Sequence, residues 1–180
     1  MRKLFLVLSF LFASFKLHAD ELNQTVGIIY GGGMSYSESS TYGSSSIIAA
    51  GIYYDYQIDP RFSVKVVHQV GGEFCMITCQ ENPYVGFRST QLSVMARQPI
   101  SKRWNVFGRL GVNAYNLNYP NGIDNNNLDP KLEISGSGLV AAIGTEAKFG
   151  KRFKLGFEFQ HLPMKTISIR TLSVMAGFSF

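Results

Sequence analysis

Three groups of residues in this sequence have side chains that could do chemistry. The largest is a set of mixed charges, Asp55, Lys65, Arg97, Arg109, Glu146, Lys148, Lys154 and Glu158. Each stands on the less oily side of a stretch in which apolar and polar residues alternate. A lone buried charge costs far more than a hydrogen-bonded pair, so this set reads as a network of paired charges and ordered water. A narrow gated ion path is the sharper alternative. The second group is His68, His161, Ser35, Ser37 and Glu73, types that a nucleophilic hydrolase would combine. Their spacing fixes no triad. The third is Cys75 and Cys79, which lack the further Cys or His partners of a zinc site. Gly31-Gly-Gly33 has neither the Lys-Ser/Thr ending nor the following helical pattern of a phosphate loop. No catalytic, cofactor-binding or metal-ligating residues are therefore expected.

The elements that position the charges are strands. In Thr171–Phe180, Leu172, Val174, Ala176, Phe178 and Phe180 share one face, and Thr171, Ser173, Met175, Gly177 and Ser179 the other. Ending on an aromatic is unusual for a terminus that frays into water, and a membrane interface accounts for it better. The same alternation sets Val26, Ile28, Tyr30 and Met34 against Thr25, Gly27, Gly31, Gly33 and Ser35. It sets Ile48, Ala50, Ile52, Tyr54 and Tyr56 against Ala49, Gly51, Tyr53 and Asp55. Mid-strand charges keep to the polar face, while Arg88 and Arg170 fall at an outer rim. Polar inside and apolar outside is the segregation of a membrane barrel.

The start of the chain points to export. Met1-Arg-Lys is basic, Leu4–Phe15 is almost unbroken apolar sequence, and Leu17-His-Ala19 precedes Asp20, which together read as a signal peptide over 1–19, cleaved after Ala19. The run is shorter than the roughly 20 residues of a spanning helix. Removing Arg2, Lys3 and Lys16 lowers the net charge from +5 to +2, so the basicity lies largely in this segment and a nucleic-acid partner is not expected. Residues 20–180 make one domain. Shared among eight strands, they allow about 20 residues per strand and connection, enough for a tilted membrane strand of roughly 9–11 residues and a loop.

A weak repeat marks the turns. Arg61-Phe-Ser-Val64, Arg103-Trp-Asn-Val106 and Arg152-Phe-Lys-Leu155 each follow a short turn with a basic residue, an aromatic, a polar residue and an aliphatic. Phe62, Trp104, Phe153 and the terminal Phe180 then form one interfacial aromatic girdle, with the basic residues in water beyond it. Long polar connections alternate with these turns, at Tyr36–Ser46, Gly71–Tyr84 and Tyr119–Ser135, with a brief fourth near Pro163–Thr166. Short turns on one side and long loops on the other is the asymmetry of outer-membrane barrels.

With its signal, strand count, turn asymmetry and terminal Phe, the chain resembles the small bacterial outer-membrane β-barrels of the OmpA, OmpX and opacity-protein type. The resemblance implies an all-β, eight-stranded antiparallel up-and-down transmembrane barrel with both termini in the periplasm. It implies a monomer in the outer membrane, surrounded by lipid and lipopolysaccharide and inserted by machinery that recognises Thr171–Phe180. Some small barrels of this kind are lipid A deacylases, but His161-Leu-Pro163 lacks their His-x-Ser arrangement. In an exported chain, Cys75 and Cys79 are expected to form a disulfide within their loop. The functional expectation is a structural and surface-interaction role, with extracellular ligands meeting loops 36–46 and 119–135. The alternatives are a narrow pore and a lipid A-modifying enzyme.

Overall fold

The computed structural model describes residues 23–37, 44–73, 86–119, 132–165 and 167–180. They form eight strands: β1 (Gln24–Ser37), β2 (Ser44–Gln57), β3 (Phe62–Glu73), β4 (Gly86–Pro99), β5 (Trp104–Tyr119), β6 (Leu132–Phe149), β7 (Phe153–Pro163) and β8 (Ile167–Ser179). Each strand pairs antiparallel with its neighbour in sequence, and β1 pairs with β8 from Thr25↔Ser179 to Ser37↔Ile167, closing the barrel. The expected leader over 1–19, Cys75, Cys79 and the middles of the long connections lie outside the described residues.

Alternation divides the strands as their residue types require. Ile28, Ile52, Leu110, Leu139 and Leu172 point outward and are 62–70 % exposed, forming an apolar wall that only lipid would cover. Phe62, Trp104, Phe153 and Phe180 lie exposed at the short-turn end. Arg152 stacks its guanidinium 5.8 Å from the Phe178 ring centre there.

The repeat has a backbone meaning. Asp59 Oδ1 accepts the N–H groups of Arg61 and Phe62 at 2.6 and 2.8 Å, and Ser101 Oγ those of Arg103 and Trp104 at 3.3 and 3.2 Å. These are the local bonds by which Asp and Ser favour turns. The third turn instead uses Gly150 at φ 66°, a conformation that a Cβ disfavours. The carbonyls of Arg61, Arg103 and Arg152 accept the N–H groups of Arg97, Lys148 and Ser179 at 2.7, 2.8 and 2.7 Å. Each repeat unit therefore ties its turn to a strand alongside.

The long connections are shorter than their composition suggests. Tyr36 pairs with Ser44, Gly72 with both Ile48 and Gly86, and Asn116 with Ser135, so both ends of the expected loops 36–46 and 119–135 and the first residues of 71–84 are strand. Ser, Gly and Asn blur the apolar alternation without removing the backbone groups that the ladder joins.

Inward glycines make room for inward aromatics. A Cβ at Gly27 would lie 2.5 Å from the Tyr53 ring, and one at Gly144 2.5 Å from the Phe107 ring. Gly27→Val is expected to lower the unfolding free energy of the refolded barrel by about 1–3 kcal/mol through overpacking. Urea titration followed by gel mobility checks this, with outward-facing Gly32→Val nearly neutral.

Candidate functional site

The lumen is filled in layers, each set by the inward residues that the registers bring to one height. At the short-turn end Arg97 is the centre. Its Nε donates to Glu146 Oε1 at 2.9 Å, its Nη1 to Ser63 Oγ at 2.7 Å, and its Nη2 to Asp55 Oδ2. Asn105 Nδ2 donates to the same Glu146 oxygen at 3.0 Å. Beside them Lys154 Nζ donates to Thr25 Oγ1 at 2.9 Å, and Thr25 joins Ser179 at 2.9 Å across the β1–β8 seam.

Midway stands a second cation cluster. Arg109 holds Glu158 with two bonds, Nε to Oε2 at 3.0 Å and Nη2 to Oε1 at 2.6 Å. This bidentate fit suits a guanidinium. Arg109 also donates to Gln91 Oε1 and Gln160 Oε1, each at 2.9 Å. Lys65 Nζ lies 3.3 Å from Glu158 Oε2 and 4.5 Å from the centre of the Tyr53 ring. Gln69 Oε1 accepts from Gln91 at 2.8 Å and from Gln160 at 3.2 Å. Tyr53, Met95, Phe107 and Met175 pack round these groups as a buried apolar cluster.

Seven of the eight sequence-selected charges are thus buried in the lumen: Asp55, Lys65, Arg97, Arg109, Glu146, Lys154 and Glu158. Lys148 is not. It has inward parity but is exposed, directly opposite Lys154 in the β6–β7 register. Two like charges facing each other repel, and of the two Lys154 is the one held in the lumen, by the Thr25 hydroxyl, while Lys148 extends into water. Arg88 and Arg170 point outward and are exposed, Arg170 lying 5.0 Å from the Tyr36 ring centre.

The upper lumen departs from the expectation of a polar interior. Ile47, Phe87, Tyr115, Leu117, Leu162, Ile167 and Ile169 form a buried apolar cluster at the long-connection end. All follow from inward parity: Ile169 and Ile167 lie two and four residues before inward Thr171. Their oiliness hid them, because outward residues are oily too. Tyr115 OH accepts the Lys165 N–H at 2.7 Å and so ties the fourth turn to this cap. The candidate triad groups stay apart. His68 faces outward with Nδ1 2.9 Å from Thr90 Oγ1, while Ser35 donates inward to Glu73 Oε1 at 3.0 Å. Among the described residues no cluster of His, Cys, Asp and Glu suits a metal ion.

A closed eight-stranded barrel, apolar outside and charged within, is the architecture of a small outer-membrane protein. The chain belongs to the outer membrane protein beta-barrel domain family, whose model matches residues 4–180, and its place is the outer membrane. Among solved structures it is similar to Neisserial surface protein A, at 13 % identity and TM-score 0.70, covering 88 % of this chain and 97 % of that one. It is similar to Ail, the attachment invasion locus protein of Yersinia pestis, at 13 % identity and TM-score 0.61, covering 88 % and 99 %. The N-terminal barrel domain of Pseudomonas aeruginosa OprF follows at 12 % identity and TM-score 0.58, covering 88 % and 98 %. Among curated proteins, none matches the sequence.

Breaking the central cluster by one partner leaves uncompensated charge in a buried site. Glu158→Gln is expected to cost about 3–5 kcal/mol of stability. The triple change Lys65→Met, Arg109→Met, Glu158→Leu should recover much of that loss. Denaturant midpoints of the refolded variants check both.

Proposed function

We propose that this barrel is a non-enzymatic surface-interaction protein, which anchors an extracellular platform in the outer membrane and contacts host or environmental ligands there. The observation that carries the reading is the double closure of the lumen. A charged cluster around Arg97 and Arg109 fills the lower part, and an apolar cap from Ile47 to Ile169 fills the outer end. With the interior committed to packing, the surface left for binding is the outer end. There the strand ends carry Ser44–Ser46, Asn116, Asn118, Ser135 and Ser137, and long polar connections join them. Polar, Tyr-bearing segments of this kind suit adaptable contacts. Ail, a barrel of similar fold, is named for an attachment invasion locus, in keeping with this reading. Lipid, lipopolysaccharide and the insertion machinery that meets Thr171–Phe180 are the partners proposed for the wall, and the barrel is proposed to act as a monomer.

A narrow pore has one observation in its favour. Asn113 Nδ2, Thr171 Oγ1 and Ser173 Oγ are buried without hydrogen-bond partners among the described residues, and buried groups of this kind commonly hold water. Above them, however, stands the apolar cap, which offers an ion no ligands. The lipid A-modifying alternative has less support, since His68 faces lipid beside Thr90 and Ser35 is engaged by Glu73.

The test is adherence. A non-adhesive bacterium expressing the protein should bind cultured cells several-fold better than one carrying a variant with residues 38–43 and 120–131 replaced by short Gly-Ser linkers. Equal adherence at equal surface levels would contradict the proposal. Lipid A mass spectra should be unchanged by expression, and a new acylation state would replace it with the enzymatic reading.

A further inference from the structure

The outer wall carries a dent toward the foot of β4, β5 and β6. Ala96 and Gly108 are register partners, and the row in which they stand runs from Phe62 through Ala96 and Gly108 to Ile143. All four point outward, so two small residues lie between two large ones. Ala96, Gly108 and Ile143, with Val94 and Leu110 one outward step above, line a groove of about 510 Å³.

Nothing inside the protein asks for glycine at 108. Its backbone is ordinary, since among the described residues only Gly150 has a positive φ. A Cβ there would meet nothing nearer than Ala142 O at 4.0 Å, whereas one at inward Gly111 would collide with the Leu92 carbonyl and with Ser93. Glycine weakens a strand and often marks a place where a ligand or another backbone comes close. At Gly108 that approach is from the lipid side.

Cations gather below the groove. Gly108 stands four residues beyond Trp104 of the girdle, roughly 13 Å along the strand, which puts the groove in the lower half of the wall. The turn beneath it carries Lys102 and Arg103. Arg61 and Lys148 flank that turn, because Arg61 O accepts the Arg97 N–H of β4 and Arg103 O the Lys148 N–H of β6, at 2.7 and 2.8 Å. All four cations are exposed. Among the described residues the exposed acid at these turns is Asp59, whose Oδ1 is engaged by the N–H groups of Arg61 and Phe62.

We infer that the groove and the cations below it form a binding site for one anionic glycerophospholipid of the periplasmic leaflet. One acyl chain lies over Ala96 and Gly108, between the ridges of Val94, Leu110 and Ile143. The phosphate meets Arg103 and Lys148, whose charged groups donate strong hydrogen bonds to phosphate oxygens. Lipopolysaccharide belongs to the opposite leaflet, above the depth of the groove. A second copy does not fit either. A two-fold axis along the membrane normal would set the patch against itself, bringing Lys102, Arg103 and Lys148 against the same cations. The inference needs the membrane placement alone and is independent of the adherence reading.

Native mass spectrometry tests this on protein extracted from outer membranes into mild detergent and titrated with dioleoylphosphatidylglycerol or zwitterionic dioleoylphosphatidylcholine. The first phosphatidylglycerol should bind about tenfold or more tightly than the first phosphatidylcholine. Arg103→Gln combined with Lys148→Gln should remove that preference. Gly108→Leu fills the groove and should weaken both lipids severalfold, as should Ala96→Leu from the neighbouring strand. Gly32→Val, outward on β1, should change neither. Heat-dependent gel mobility shows that each variant is folded. Equal binding of the two lipids, or phosphatidylglycerol binding that survives either the groove variants or the charge pair, would leave only a general lipid annulus and overturns the inference.

Discussion

Backbone hydrogen bonding in a medium without water is the constraint on which the structure depends. Every N–H and C=O at the depth of the hydrocarbon must be answered by another strand, and a sheet manages this only by closing on itself. The β1–β8 seam from Thr25↔Ser179 to Ser37↔Ile167 supplies that closure. Closure then dictates the rest. Strands alternate between lipid and lumen, so outward residues must be oily. A ring of eight strands leaves an interior just wide enough for side chains to fill. Toward the outer end the β6–β7 ladder stops at Ala141↔His161, while β6 stays paired with β5 as far as Tyr119↔Leu132.

The lumen solves its own problem in two chemistries. At the lower end and the middle, charges are admitted because each has a polar partner: Arg97 between Asp55 and Glu146, Arg109 and Lys65 on Glu158, and Lys154 on the Thr25 hydroxyl. Glutamines 69, 91 and 160 connect the upper side of this network. Toward the outer end the filling changes to Ile, Leu, Phe and Tyr, which need no partners but pack. The lumen is thus filled in two ways, by hydrogen-bonded charges below and by packed apolar side chains above.

Much of this was legible in residue order, for reasons that also mark the limits. The terminal strand Thr171–Phe180 reads correctly because Leu172, Val174 and Phe178 alternate against Ser173, Gly177 and Ser179 without interruption. The Arg-aromatic repeat located three turns because turn chemistry is local: Asp59 and Ser101 bond residues two and three further on. Charge pairing was beyond the sequence. Arg97 meets Glu146, and Arg109 meets Glu158, through contacts across the lumen that closure alone creates. Parity alone puts Lys148 in the lumen because it gives a face and not the neighbour: Lys154 stands directly opposite, and only one of the two cations is buried. The apolar cap was missed because Ile167, Ile169 and Leu162 look like lipid-facing residues until parity is carried outward from Thr171.

The central claim is that the barrel is folded and its lumen has no path through it. Planar-bilayer recording tests this most directly, using protein extracted from outer membranes and shown by heat-dependent gel mobility to be folded. The account predicts a silent bilayer, without discrete current steps at either polarity. Reproducible single-channel steps from folded protein would contradict it, because ions would then be passing both the Arg97–Arg109 cluster and the apolar cap.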